Sequence, residues 1–285
     1  MADKETIGLI GTGRMGQAMV RHLIKNGYSV VAHDLEPKAV EAARALGAQT
    51  AKTPAEVGRA CKFVIIAVGY DEEATAVMTG KEGLLDTMGA GSVIGMSSTC
   101  TPEHVRMLAE KAKAKGVEVL DAPICRGQRA ADDGTMLILC GGKPEVFERG
   151  KPIYSTFGKD IVLLGDIGAG QFGKAMNNFL LWVNGVALIE AGRLAEANGM
   201  NLIKLRDALL MSSGASDALK NWENMSFLWA LKDMQIVSRI ADKAGLSMPI
   251  AGAIKELVKD GRKIKLSNPP DWTGGGGRPK HAGAR

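Results

Sequence analysis

The chain is poor in thiols and poorer in any pattern that would put them to use. Its 285 residues contain four cysteines, Cys61, Cys100, Cys125 and Cys140, and four histidines. The cysteines are scattered, with no CxxC pair and no histidine cluster beside them. That spacing excludes a disulfide framework and a zinc site, and leaves reduced thiols and no metal. A strong excess of one charge is also missing. The formal net charge is +5, and part of it sits at the end of the chain, on Arg278, Lys280 and Arg285. This sets nucleic-acid binding aside and suits anionic small molecules better. No apolar run is long enough to span a bilayer, and no charged-then-apolar leader opens the chain. The expectation is a cytoplasmic protein with neither a membrane nor a nucleic acid as partner.

What is present is ordinary globular material, 46% hydrophobic and 24% charged. The length accommodates two modest domains with proper cores. Residues 6–10 form an apolar run of strand type, followed by Gly11-Thr12-Gly13-Arg14-Met15-Gly16 and then by helical periodicity over 17–24, stopped at Gly27. A GxGxxG between strand and helix is the setting a dinucleotide needs. The first glycine permits the tight turn, the second admits the pyrophosphate, and the third allows close helix–strand packing. The helix N-terminus then offers free N–H groups and a favourable dipole to the phosphates. Residues 29–33 read as a second strand, ending on Asp34. A carboxylate about 20 residues after the glycines is placed to accept from the ribose hydroxyls of NAD and to repel the 2′-phosphate of NADP. No arginine adjoins it, and Lys38 is the nearest cation, so NAD is favoured over NADP. Asp34 also suits a helix cap ahead of Pro37, and the two roles are compatible.

Strand-like runs recur at 63–68, 92–96 and 117–120, separated by helical stretches. Alternation of this kind implies a parallel sheet with right-handed crossovers and ligands at the carboxyl ends of its strands. Three loops lie there: Val68-Gly-Tyr-Asp71, Ser97-Ser98-Thr99-Cys100-Thr101-Pro102, and Asp121-Ala-Pro-Ile-Cys125-Arg126-Gly127. Each by itself is equally well read as turn or cap chemistry, Thr101 before Pro102 being a good helix cap. Residues 135–139 and 161–164 read as two further strands flanking a helix from Pro144. Beyond Gly168 the pattern is helical, over about 170–198, 201–212, 222–244 and 249–262, with Gly, Ser and Pro breakers between. The implied fold is α/β, with an N-terminal Rossmann-type doubly wound sheet over 1–166 and an all-helical C-terminal domain over 167–267. Residues 268–285, with Pro269-Pro270 and four glycines at 274–277, read as a flexible tail. Long apolar helices in a small domain leave surface to cover, which points to a homodimer or homotetramer.

Gly168-Ala-Gly-Gln-Phe-Gly-Lys174-Ala-Met-Asn177-Asn178 opens the longest of these helices. Lys174 and Asn178 are i and i+4, so their side chains leave from one face. A lysine delivering a proton beside an asparagine holding a substrate fits this spacing. So does a lysine snorkelling from an ordinary surface helix.

Joined in order, four of these stretches resemble the 3-hydroxyisobutyrate dehydrogenase family, the β-hydroxyacid dehydrogenases. They are the glycine turn at 11–16, Ser98-Thr99-Cys-Thr-Pro102, the loop from Asp121 to Gly127, and Gly170-Gln-Phe-Gly-Lys174-Ala-Met-Asn-Asn178. Leu231-Lys232-Asp233 is a fifth, weaker match, and the resemblance spans roughly residues 5 to 265. It implies a Rossmann domain entering a helical domain through one long helix, NAD as hydride acceptor, and a small anionic 3-hydroxy acid as substrate. It places Lys174 on the catalytic lysine and Asn178 on the substrate-orienting asparagine. Val68 and Thr99 fall on the cofactor side with the glycine turn, Ser98 lies beside them toward substrate, and Lys232 falls where cofactor and substrate meet.

Two stretches depart from the family. Its third loop usually reads Asp-Ala-Pro-Val-Ser-Gly-Gly, where backbone and hydroxyl groups hold the substrate carboxylate; here Cys125, Arg126 and Gly127 stand instead. Arg126, in a loop similar to that of sulfolactaldehyde reductases, is expected to clamp a second anion, a carboxylate, phosphate or sulfonate. Its alternatives are solvent or a pairing with Asp132 or Asp133. Met96 replaces an aspartate that usually precedes Ser-Thr, at the cost of one local hydrogen bond. Three rivals share the fold. An imine reductase is opposed by Lys174, as is a non-catalytic dinucleotide-binding regulator, and a phosphorylated-sugar-acid dehydrogenase is opposed by the short C-terminal domain.

Overall fold

The computed structural model describes residues 4–277 and 279. Six strands, β1 (Ile7–Ile10), β2 (Val30–His33), β3 (Gln49–Thr50), β4 (Phe63–Ile66), β5 (Val93–Met96) and β6 (Glu118–Asp121), pair in parallel in the order β3-β2-β1-β4-β5-β6. Three more follow, β7 (Ile124–Cys125), β8 (Met136–Gly141) and β9 (Gly158–Gly165). β8 runs antiparallel to both β6 and β7 and carries β9 in parallel. Between the strands lie α1 (Arg14–Lys25), α2 (Pro37–Ala45), α3 (Pro54–Ala60), α4 (Asp71–Thr79), α5 (Pro102–Lys113), α6 (Gly127–Asp133) and α7 (Pro144–Tyr154).

The central strands are apolar on both faces because both are covered by helices. Ile7, Leu9, Phe63 and Ile65 join the core that includes Met19 and Leu23 of α1 and Ile153 of α7. Their alternate neighbours, Ile10, Val64, Ile66 and Ile94, join a second core with Val57 of α3, Met78 of α4 and Leu108 of α5. Proline stands in the first turn of α2, α3, α5 and α7, where its missing N–H costs nothing. Thr53 and Thr101 cap α3 and α5 with their hydroxyl oxygens, as expected for Thr101. The strand order reverses at β1 and β4, so the crevice for a ligand opens at their carboxyl ends. β3 and β7 escaped the sequence pattern because a run of two residues has no periodicity to read.

The chain divides into two compact units, Met1–Lys174 and Ala175–Arg285. The division falls inside α8 (Ala169–Ala197) rather than before it, because the first turns of that helix pack on the ends of β6 and β8. The second unit continues with α9 (Leu202–Leu209), α10 (Asp217–Lys220), α11 (Ala230–Ala244) and α12 (Pro249–Ser267). Its core contains Trp182, Val186, Trp222, Phe227, Met234, Val258 and Trp272. The helix expected over 222–244 begins only at Ala230, after a single 3-10 turn at 222–224. Phe227 adopts a left-handed φ of 56° and stacks on Trp182 with ring centroids 5.2 Å apart. Burial of that ring overrides the local helical pattern.

Residues 268–277 correct the expectation of a flexible tail. Trp272 is fully buried, and its indole N–H donates to Leu188 O at 3.0 Å. Trp222 Nε1 donates to Pro270 O at 2.9 Å, and Lys265 Nζ donates to Gly277 O at 2.6 Å. Proline and glycine do deny this run regular structure, but the buried Trp272 and the bonds from Trp222 and Lys265 dock it. The remainder of the expected tail, Arg278 and residues 280–285, lies outside the described residues.

Candidate active site

The turn after β1 is built so tightly that side chains are excluded from it. Gly11 holds a φ of +92°, and a Cβ on it would stand 2.4 Å from Ala67 O. A Cβ on Gly16 would stand 2.0 Å from Gly11 O, so α1 lies directly on the turn. Gly13 caps α1 without a side-chain hydrogen bond, and the first turn holds no acidic residue. Nothing lies within 4 Å of a Cβ built on Gly13. The amides of Arg14, Met15 and Gly16 are thereby left to an outside anion. Arg14 is exposed, whereas the Met15 side chain packs inward on the core and offers only its backbone.

Thr12, fully buried, ties this turn to Asp34: its N–H donates to Asp34 Oδ2 at 2.6 Å and its hydroxyl at 3.3 Å. The Glu36 N–H donates to the other oxygen, Oδ1, at 2.9 Å. The cap of α2 is Glu36, not Asp34. Asp34 is thus oriented by the loop it is expected to serve. Pyrophosphate amides, an open glycine and a braced carboxylate at the end of β2 together fit a dinucleotide with free ribose hydroxyls.

Past β4 and β5 the loops are cross-linked. The Val68 N–H donates to Ser98 Oγ at 2.8 Å, and that hydroxyl donates to Ile66 O at 3.4 Å. Ser98, expected beside the substrate, is 3% exposed and spends its hydroxyl as a brace between loops. Thr99 next to it is half-buried. Gln171 of α8, wholly buried, donates from Nε2 to Ser98 O at 2.9 Å and accepts from the Cys100 N–H at 2.9 Å. Asp121 Oδ2 in turn accepts from the N–H groups of Gly168 (3.1 Å) and Gln171 (3.0 Å). Burial pushes the Asp121 carboxyl up to about 6, against the pull of the Gln171, Gly168 and Gly170 amides. The sequence reading assigned neither Asp121 nor Gln171 a role. The available signal was a polar residue closing one apolar strand and another opening an apolar helix.

The third loop gives Arg126 a protein partner other than those expected. Cys125 belongs to β7, pairs with Leu137 of β8 and is 2% exposed, so it packs rather than presents its thiol. Arg126 takes a left-handed φ of 80°. Its Nη1 donates to Thr135 O at 3.1 Å and to Asp160 Oδ2 at 2.6 Å. One nitrogen of the guanidinium is therefore engaged with Asp160 of β9, and neither Asp132 nor Asp133 is its partner. Those two carboxylates pair with Arg21 and Arg129. Such a left-handed backbone is one that glycine adopts without strain and arginine does not. Gly127 follows at φ +69° and opens α6.

On α8, Lys174 is half-buried and has no hydrogen bond or ion pair among the described residues. Asn178 and Lys232 belong to the second unit. Asn178 is 4% exposed, with Oδ1 accepting from Asn177 Nδ2 at 3.1 Å. Lys232 lies on α11 with Nζ 5.7 Å from the centre of the Trp229 ring. Its neighbour Asp233 accepts from Trp182 Nε1 at 2.9 Å, which fastens α11 to α8. Burial pushes the Cys61 and Cys140 thiols up to about 12, which makes both inert. Among the described residues no cluster could hold a metal ion, and no helix is long and apolar enough to cross a membrane.

A family model described as the NAD binding domain of 6-phosphogluconate dehydrogenase matches residues 6–165. A second, described as the NAD-binding of NADP-dependent 3-hydroxyisobutyrate dehydrogenase, matches residues 168–268. The chain is 36% identical over 271 residues to the 2-(hydroxymethyl)glutarate dehydrogenase of Eubacterium barkeri, covering 91% of this chain and 90% of that one. It is 35% identical over 213 residues to the 3-hydroxyisobutyrate dehydrogenase of Pseudomonas aeruginosa (75% and 72% covered). An NAD-dependent L-serine dehydrogenase of the same organism is 32% identical over 214 residues (75% and 72%). In fold, a Mycobacterium tuberculosis 3-hydroxyisobutyrate dehydrogenase superposes with a TM-score of 0.82 at 24% identity, covering 93% of this chain and 95% of that one. The two family models together cover residues 6–165 and 168–268, and the chain belongs to the 3-hydroxyisobutyrate dehydrogenase family of NAD-dependent oxidoreductases.

Proposed function

We propose that this enzyme interconverts a small 3-hydroxy acid and its semialdehyde, with Lys174 as general acid and base. The substrates named in its relatives (2-(hydroxymethyl)glutarate, 3-hydroxyisobutyrate and L-serine) share a hydroxymethyl group on the carbon that bears a carboxylate. That shared unit is the substrate class assigned here. Bound NAD supplies the hydride acceptor. The amides of residues 14–16 hold its pyrophosphate, Asp34 takes the ribose hydroxyls, and the Val68 and Thr99 loops flank the rest. Lys174 Nζ accepts the hydroxyl proton as the hydride leaves, and returns it to the carbonyl oxygen in reduction. Asn178 is assigned the orientation of the substrate.

The observation that carries this reading is Lys174 itself, a half-buried ammonium in the first turns of α8 without a partner among the described residues. An ammonium so placed needs either a counter-ion or a task. The test is reduction of NAD and NADP by the purified protein with 3-hydroxyisobutyrate, L-serine and 2-(hydroxymethyl)glutarate. Turnover with NAD is expected, and Lys174→Ala should lower it by about 10²–10⁴. A variant that keeps most of its activity removes Lys174 from the mechanism. We further infer a homodimer or homotetramer, supported by Leu180, Leu194, Leu246 and Ile250, all more than half exposed on the second unit. A monomer in sedimentation would end that part of the proposal.

A further inference from the structure

Asp121 is a buried carboxylate that makes no ion pair among the described residues. It is 0% exposed, and its Oδ1 has no hydrogen-bond partner among the described residues. The titratable groups that face it are the Cys140 thiol on β8 and the Tyr154 phenol on α7, both buried and both raised by burial. An uncompensated buried carboxylate costs stability that a neutral residue of the same shape would not. A residue kept against that cost invites a functional explanation.

Its neighbours supply one. Asp121 accepts from two amides at the head of α8, where an anion also meets the positive end of the helix dipole. The helix sits so close that a Cβ on Gly170 would stand 2.4 Å from Leu139 O and 3.0 Å from Asp121 Oδ2. Gln171 then reaches from the same turn to Ser98 O and the Cys100 N–H, the two residues on either side of Thr99. Ser98 continues the connection to Val68. One hydrogen-bonded path therefore runs from β6 through the first turn of α8 to both loops assigned to the cofactor, and Lys174 follows Gln171 by less than one helical turn.

We propose that Asp121 and Gln171 are the positioning residues of the reaction: they fix the head of α8, and with it Lys174, against the Ser98–Cys100 loop. The proposal rests on the assignment of Lys174 as the proton-transfer group. A small displacement of such a group is enough to cost about 10²-fold in rate.

The experiment compares kcat, KM and NAD affinity for wild type, Asp121→Asn, Lys174→Ala and the double variant, on the hydroxy acid the wild type turns over best. Asp121→Asn keeps the shape and one accepting oxygen, and should lower kcat by about 10²-fold with NAD affinity changed by less than about threefold. Added to Lys174→Ala it should cost nothing further, because it acts through the lysine. Wild-type kcat should also fall below about pH 6 as the carboxyl takes its proton, a limb that Asp121→Asn lacks. Gln171→Met, which loses both bonds to the loop, should reproduce the loss of kcat should the first variant fold poorly. Losses that multiply in the double variant, that fall on NAD affinity, or that do not appear at all overturn the proposal. Hydrogen exchange of amides 168–175 separates the two readings. If no hydroxy acid is turned over, the Lys174 reading fails, while faster exchange in Asp121→Asn still upholds the anchoring of α8 and unchanged exchange removes it.

Discussion

Replacing Trp272 by alanine tests whether the proline- and glycine-rich segment after α12 is part of the second unit's core. The indole is fully buried among the residues of that core, and its N–H is bonded to Leu188 O inside α8. Deleting a buried tryptophan side chain costs about 3–5 kcal/mol. Leu188 O lies inside α8 and keeps its helical hydrogen bond, so no carbonyl is orphaned. That cost is a large share of the roughly 5–15 kcal/mol that holds a domain together. At about 2–4 °C per kcal/mol for a chain of this size, Tm should fall by about 6–20 °C. Circular dichroism through a thermal ramp reads this directly. Trp272→Phe should lose about 1–2 kcal/mol, since the ring remains and the N–H does not. Truncation after Ser267 should cost more than Trp272→Ala, because Trp222 Nε1 then also loses Pro270 O. If Trp272→Ala melts within about 2 °C of wild type, the docked segment contributes nothing and the reasoning is wrong.

The raised Asp121 carboxyl predicts a pH dependence of stability with a definite sign. Between 3.8 and about 6 the folded chain holds a proton there that the unfolded chain has released, so stability falls as pH rises through this window. Asp121→Asn should therefore be the more stable protein above about pH 6, by as much as about 3 kcal/mol, with the difference gone near pH 4. Denaturant titrations at both pH values check it, and a variant less stable at neutral pH counts against it. Arg126→Gly should be neutral to stabilising: it relieves about 1–2 kcal/mol of left-handed strain. It gives up an exposed ion pair worth about 0–1 kcal/mol. Its KM for the hydroxy acid should stay at the wild-type value, and a rise of tenfold or more would return Arg126 to the substrate site.

How much of this was legible beforehand depends on how far apart the interacting residues lie. The strands at 63–68 and 92–96, the glycine turn and the start of α8 could be read with an error of a residue or two. Periodicity, turn chemistry and capping act within a few residues of one another. Asp34 was legible for the same reason, since one strand and one turn place it. Arg126 was not. Its partner Asp160 stands 34 residues away on β9, whereas the carboxylates weighed as alternatives to a substrate anion were the nearer Asp132 and Asp133. Ser98 was located correctly in its loop, but only the Val68 amide shows that its hydroxyl is already in use.

By itself, then, the sequence determined the alternation of strand and helix, the dinucleotide turn and the face shared by Lys174 and Asn178. Each of these is a consequence of short-range sterics and hydrophobic period. Tertiary structure alone decided that Asp121 and Gln171 lock the head of α8 to the Ser98–Cys100 loop, that Arg126 turns to Asp160, and that Trp272 docks on Leu188. Those contacts join residues far apart in the chain. Their geometry exists only once the sheet and the helices have packed.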